Sequence, residues 1–253
     1  MRNILAIAQK ELRSYFSSPI AYIIIGFFAL PFGVFFYLYL GAFVRQSLQM
    51  AQYGGSMNVN QQVIRGVLQN ASVIILFVMP MITMRTYSEE KRSGTIELLL
   101  TSPVTDLEII IGKFLGALGL YIAMLLVTAL YVAILFIIGN PEWRPVIAGY
   151  LGLLLMGGAF ISIGLLISST TNNQIVAGVV TFALFLMLWI VGWFADSAGP
   201  TTGAVLRYLS LTTHLEDFSK GIIDTTHVIY YLSLITFGLF LTAKAVDSQR
   251  WRA

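Results

Sequence analysis

From Pro145 to Ala195 the chain carries no Asp, Glu, Lys or Arg. An α-helix rises about 1.5 Å per residue, so roughly 20 apolar residues cross about 30 Å of hydrocarbon. This stretch is therefore long enough for two spans, and Ser168-Ser-Thr-Thr-Asn-Asn-Gln174 is the polar turn that divides them. In lipid every backbone amide must be satisfied internally, which leaves helices or closed barrels, and the alternation of a barrel strand is absent. The same criterion selects six segments: Ile20–Phe43, Gly66–Met84, Ile109–Ile138, Val146–Ile167, Ile175–Ala195 and Val228–Ala243. The expected fold is an all-α integral membrane protein, with 1–253 as a single transmembrane domain. Composition agrees, since 57% of residues are hydrophobic and 11% charged, where soluble domains carry about a quarter charged residues.

Basic residues predict the orientation. One side would hold Arg2, Lys10, Arg13, Arg85, Lys91, Arg92, Lys113, Lys244, Arg250 and Arg252; the other would hold Arg45, Arg65, Arg144, Arg207 and Lys220. The excess puts both termini and the Arg85–Lys113 loop in the cytoplasm.

Residues 1–18 read as an amphipathic interfacial helix. At about 100° per residue, Ile4, Leu5, Ala8, Leu12, Tyr15 and Phe16 share a third of its circumference, with Arg2, Lys10 and Arg13 opposite. Such a helix is expected to lie flat with its apolar stripe in membrane lipid and Lys10, Glu11 and Arg13 toward water or a partner. Ser17-Ser-Pro19 breaks it before the first span. Lys10, Glu11 and Arg13 also interrupt what would be the apolar core of a cleavable signal peptide, so the first span is expected to be retained.

The residues exclude much chemistry. With no cysteine there are no disulfides and no thiolate metal sites or nucleophiles. Gly112-Lys113 lacks the upstream glycine and following hydroxyl of a phosphate-binding loop, so no nucleotide is expected to bind directly. His214 and His227, the only histidines, form no metal motif with carboxylates and read as helix-start or loop residues. No basic stripe suits a nucleic acid. Ionisable residues are missing from mid-span, where proton-coupled carriers keep them. An ion-coupled secondary carrier is thereby disfavoured, and energy for any transport must come from outside the chain.

The loop over 87–104 carries the functional reading. Tyr87-Ser-Glu-Glu-Lys-Arg92 is charged, and Thr95 can cap a short helix through Leu100, with Glu97 in its first turn and Pro103 stopping it. Thr105-Asp-Leu-Glu108 is a capping box that opens the next span. A stub helix, a fixed corner and a membrane helix with little slack would transmit force. In that reading Glu89, Glu90, Arg92, Thr95, Glu97, Leu98 and Leu99 make or shape a docking contact, and Gly94 and Pro103 set its geometry. The blander reading is an ordinary loop whose leucines pack beneath the spans. On the opposite side, 196–227 contains Thr213-His-Leu-Glu216, a capping-box spacing that predicts a short helix ending near Gly221, with Asp224 placed to cap the last span. Gly112, Gly116, Gly157, Gly158, Ser162, Gly164 and Ser168 invite close helix packing first and a dimer seam second.

Glu89-Glu-Lys-Arg92 followed by Ser93-Gly-Thr-Ile-Glu-Leu-Leu-Leu-Thr-Ser-Pro-Val104 resembles the first cytoplasmic loop of ABC-2-type transporter permeases. The resemblance covers nearly the whole chain. It implies that this loop, between spans 2 and 3, is a coupling helix that docks on a separate ABC ATP-binding subunit, so that ATP acts only through that partner. It also implies a homodimer or a second permease subunit, and a multi-pass protein of the bacterial inner membrane. An accessory exterior or periplasmic protein is a further expected partner. His214-Leu-Glu-Asp-Phe-Ser-Lys-Gly-Ile-Ile-Asp224 with Tyr230-Tyr-Leu-Ser233 is similar to the gliding-motility and nitrous-oxide-maturation type of permease subunit. A rival of another class is a membrane scaffold that recruits cytosolic proteins through the same loop without transport.

Overall fold

The computed structural model describes residues 2–53, 57–95, 104–139 and 141–250. Among these, the chain forms α1 (Arg2–Ser17), α2 (Pro19–Gln52), a π-turn at Asn60–Ile64 leading into α3 (Arg65–Thr83), and α4 (Ser88–Arg92). After residues 96–103 come α5 (Asp106–Ile138), α6 (Trp143–Thr170) and α7 (Gln174–Ile190), which tightens into a 3₁₀ turn at Val191–Phe194. Then follow α8 (Pro200–Leu209), α9 (Leu211–Ser219) and α10 (Thr225–Arg250). Six stretches are long and apolar enough to cross a membrane: Pro19–Gln52, Asn60–Arg92, Asp106–Ile138, Trp143–Thr170, Gln174–Phe194 and Thr225–Ser248. An even number of crossings leaves both chain ends on one side, called here the terminal side.

Two spans form the centre. The apolar window of α6 is 72% buried, whereas that of α7 is 17% buried and therefore faces its surroundings. Small residues explain the difference. Along α6, Leu68 of α3 meets Gly149, Thr83 meets Gly164, and Tyr87 N donates to Ser168 Oγ, a spacing of 81 residues each time. Helices α3 and α6 are thus parallel and held in one register. On its other faces α6 receives Tyr121 of α5 at Gly157, Ile235 of α10 at Gly158 and Phe218 of α9 at Gly152, while Ser162 sits against Gly238 of α10. Without water to expel between apolar helices, close backbone approach at small residues supplies the packing. The glycines of the fourth span therefore serve the subunit's own interior.

Several local details depart from sequence expectation. The first span's helix runs past Phe43 to Gln52, because positions 44–53 hold no glycine or proline and are rich in good helix formers. Part of the segment expected as a polar connection is therefore helix. On the side opposite the termini, Ser210 caps α9 by accepting from Thr213 N at 3.4 Å, which places Thr213 inside the helix rather than at its cap. Pro200 at the first turn of α8 marks a helix not anticipated there. Gly221 follows α9 at φ +87°, and Asp224 Oδ1 accepts from Thr226 N at 2.8 Å at the start of α10. The Thr105 capping box is present in both directions at the head of α5.

Helix α1 requires the largest correction. Much of its apolar side, expected to face lipid, runs along α5 instead. Asn3 donates to the Glu108 carboxylate at 3.3 Å, Ile7 meets Gly112 and Glu11 meets Gly116, again at a constant spacing, here of 105 residues. The two helices are therefore parallel and side by side. Gly112, Gly116 and Gly119 form the trough in which Ile7, Glu11 and Leu12 sit. A Cβ at Gly112 would lie 2.7 Å from Ile7, so glycine is what permits the approach. Arg2, Lys10 and Arg13 remain exposed on the far side, and Leu5 still points outward.

Candidate functional site: a buried lysine under the terminal-side corner

The span containing α3 bends where it leaves the bundle, and Ser168 of α6 holds the bend. Its hydroxyl accepts from Tyr87 N and Ser88 N, each at 3.1 Å, and donates to Met84 O at 3.1 Å. One side chain thus binds three backbone groups of the turn between α3 and α4. Lys91 Nζ donates to Ser169 O, a second tie between α4 and the end of α6. Gly94 ends α4 at φ +72°, a left-handed position that glycine adopts without a Cβ penalty.

Beneath α4 lies Lys113, 1% exposed, eight positions into α5. An ammonium group has three N–H donors. Here they reach Glu90 Oε1 at 2.7 Å, Thr86 O at 2.9 Å and Glu11 Oε1 at 3.1 Å. The Tyr87 ring lies 5.1 Å from the same nitrogen. Lys10 approaches both carboxylates at 3.6–3.7 Å from outside, so two lysines balance two glutamates. Burying a lone ammonium costs several kcal/mol, and it is stable here because each proton has an acceptor and the charge is neutralised. Four elements meet at this nitrogen: α1 through Glu11, the α3–α4 turn through Thr86, α4 through Glu90, and α5 itself. Tyr15 of α1 adds a hydrogen bond to Ile82 O at 3.2 Å, and burial pushes its hydroxyl pKa up to about 12.

Around this anchor the expected contact residues divide. Glu90 and Glu11 point inward and are used internally, whereas Glu89 is half exposed and pairs with Arg85 at 3.0 Å. Lys10, Arg13 and Arg92 are exposed, as is Thr95, whose hydroxyl lies 2.9 Å from Ser93 Oγ. A cavity of about 300 Å³ opens between α1 and α4, lined by Lys10, Ser14, Arg85, Glu89, Ser93 and Thr95 among others. Glu97, Leu98, Leu99, Pro103 and the stub helix expected through Leu100 lie outside the described residues. Sequence reasoning placed Lys113 as one more positive residue beside a span and missed its role. The available sign was a single Lys following Ile109-Ile-Ile-Gly112 inside an apolar run, with Glu11 the one acidic residue of α1 to match it.

The arrangement has no nucleophile–base pair, and no cluster of three or more metal-ligating side chains occurs among the described residues. It is a mechanical joint: a rigid corner on one membrane face, tied to α1, α3, α5 and α6 by buried polar contacts. Fold and site together define a polytopic membrane protein with a buried polar junction where its terminal-side corner meets the spans. The sequence matches the family described as ABC-2 family transporter protein over residues 5–245, and the chain belongs to that family. It is thus the membrane-spanning permease component of an ABC transporter, a transport subunit rather than a catalytic one. Comparison with curated proteins gives no match.

Proposed function

We propose that this permease couples ATP hydrolysis by a separate cytoplasmic subunit to export of a substrate across a bacterial inner membrane. In this reading the terminal side is cytoplasmic, as the excess of Lys and Arg there supports. The ATPase docks on Glu89, Arg92, Thr95 and the 96–103 loop, with Lys10 and Arg13 of α1 at the rim. The observation that carries the reading is the Lys113 junction. It makes α1, α4 and α5 one body, so force applied to the loop reaches the spans without being lost in slack. Moving a two-state element from 1:99 to 99:1 takes about 5.5 kcal/mol of differential binding, and these spans hold no mid-depth charge to draw it from an ion gradient. The subunit works as a homodimer or beside a sister permease. The His214–Asp224 and Tyr230–Ser233 stretches support the gliding-motility and nitrous-oxide-maturation subgroup on resemblance.

Glu97→Lys tests the docking contact. The variant should insert normally but lose most of the ATP-hydrolysing subunit on co-purification, and transport should fall with it. Undiminished retention together with undiminished transport would remove Glu97 and its loop from the contact.

A further inference from the structure

On the side opposite the termini, two imidazoles face each other. His214 Nδ1 of α9 lies 2.7 Å from His227 Nδ1 of α10. The outer nitrogens are also engaged: His214 Nε2 is 2.9 Å from Tyr208 O of α8, and His227 Nε2 is 2.9 Å from Asp217 Oδ2. Counting protons gives the state that this geometry calls for. A carbonyl only accepts, so His214 Nε2 carries hydrogen; an ionised carboxylate only accepts, so His227 Nε2 carries hydrogen. The contact between the two Nδ1 atoms needs one more. That makes three N–H groups on two rings, where two neutral imidazoles supply two.

We propose that this face carries a proton-operated clasp, in which one proton held by the His214–His227 pair adds to the hydrogen bonds of Tyr230 to Leu209 O and Tyr231 to Leu211 O in pinning α8 and α9 to the start of α10, and its loss loosens them. Burial pushes His214 below the ordinary histidine range, which keeps that ring neutral. The hydrogen bond from His227, followed by that from Lys220, holds Asp217 low, so the carboxylate stays ionised.

The surroundings are charged and aromatic. From α9, Lys220 reaches Asp217 at 3.1 Å and Glu216 at 3.0 Å, and Arg65 of α3 reaches Glu216 at 3.0 Å. Asp224 stands three residues before His227 in the turn leading into α10. From α8, the Tyr208 ring meets His214 edge-on, and from α10 Tyr230 stacks on it at 3.7 Å with Tyr231 beyond. From α6 come Pro145 against Gly221 and Gly152 against Phe218, neither of which titrates. The clasp thereby continues through Glu216 to the head of α3.

The sign follows from the proton count. Removing the proton leaves one contact without a hydrogen: two Nδ1 lone pairs facing each other, the His227 Nε2 lone pair facing the carboxylate, or the His214 Nε2 lone pair facing Tyr208 O. The clasp is therefore lost as pH rises through the pair's release step. A second proton puts N–H against N–H between the rings. The clasp is then lost again as pH falls through the depressed value of His214. It holds between those limits.

The chain has two histidines, so ¹⁵N-histidine labelling of the full protein in lipid nanodiscs reports this pair alone. Titration from pH 5 to 9 should show a plateau with three protonated ring nitrogens, bounded by two separate one-proton steps. Both rings titrating together at the ordinary histidine position would overturn the proposal. Spin labels at Val205→Cys and Ile229→Cys, exposed sites on α8 and α10, should keep a constant distance across the plateau and separate above it. His227→Gln should make that distance independent of pH, and a surviving pH response would also overturn the clasp. Should that variant fail to fold, Asp217→Asn should move the upper step down by about 1–2 pH units, since a charged hydrogen bond is lost; an unmoved step contradicts the assignment.

Discussion

Lys113→Met is expected to lower the stability of this protein by about 3–5 kcal/mol, the cost of removing one partner from a buried ion pair. The reason lies in what remains. Glu11 and Glu90, whose side chains are 13% and 17% exposed, would face each other without their buried cation, and Thr86 O would lose its donor. Lys10, mostly solvent-exposed at 3.6–3.7 Å from both, would offset only part of that charge from the rim. For a chain of this size each kcal/mol moves the unfolding midpoint by about 2–4 °C, so thermal unfolding in detergent should show a drop of roughly 6–20 °C. A second variant separates stability from coupling. Replacing Lys113, Glu11 and Glu90 together by Met, Leu and Leu removes the buried part of the charge cluster and leaves only the exposed Lys10, and apolar replacement of a buried ion group is often neutral or stabilising. The triple variant should regain most of the lost midpoint yet remain poor at ATP-driven transport, because α1 and α4 would then rest on α5 without a directional tie.

Gly157→Ala is the second large effect. Its Cβ would clash with the edge of the Tyr121 ring, which is fully buried and donates to Leu153 O at 2.7 Å. The ring cannot turn aside without breaking that bond. Overpacking costs about 1–3 kcal/mol, and loss of the hydrogen bond adds about 1 kcal/mol. Gly149→Ala should cost less, since its neighbour is the flexible end of Leu68. Gly26→Ala, with nothing within 4 Å, should be neutral or slightly stabilising. Unfolding midpoints should therefore rank Gly26→Ala highest, then Gly149→Ala, then Gly157→Ala. Equal midpoints for Gly26→Ala and Gly157→Ala would contradict the packing described for α5 on α6.

The spans were legible because lipid imposes a simple rule: charge-free lengths of about 20 residues become helices. The Thr105 box and the Gly221 stop were legible because caps are local and depend on a few neighbouring residues. Partnership between distant segments was not. The periodicity of α1 gave an apolar face but not what covers it, and a lipid surface and a glycine trough on α5 demand the same pattern. Lys113 reads identically as a loop-flanking cation or as the centre of a junction, since its partners lie 102 and 23 positions away. The His214–His227 contact depends on how α9 packs against α10, which no spacing in the sequence specifies.

Arg92 lies on the proposed docking face and Arg207 on the opposite one, and the chain contains no cysteine. Single cysteines at these positions, each carrying a photo-crosslinker, can therefore be compared in a purified assembly that hydrolyses ATP. A crosslink to the ATPase subunit from Arg92→Cys that changes in yield with nucleotide, and none from Arg207→Cys, is the expected result. A crosslink from the Arg207 side, or an ATP-hydrolysing assembly in which the Arg92 site touches no second subunit, would contradict it.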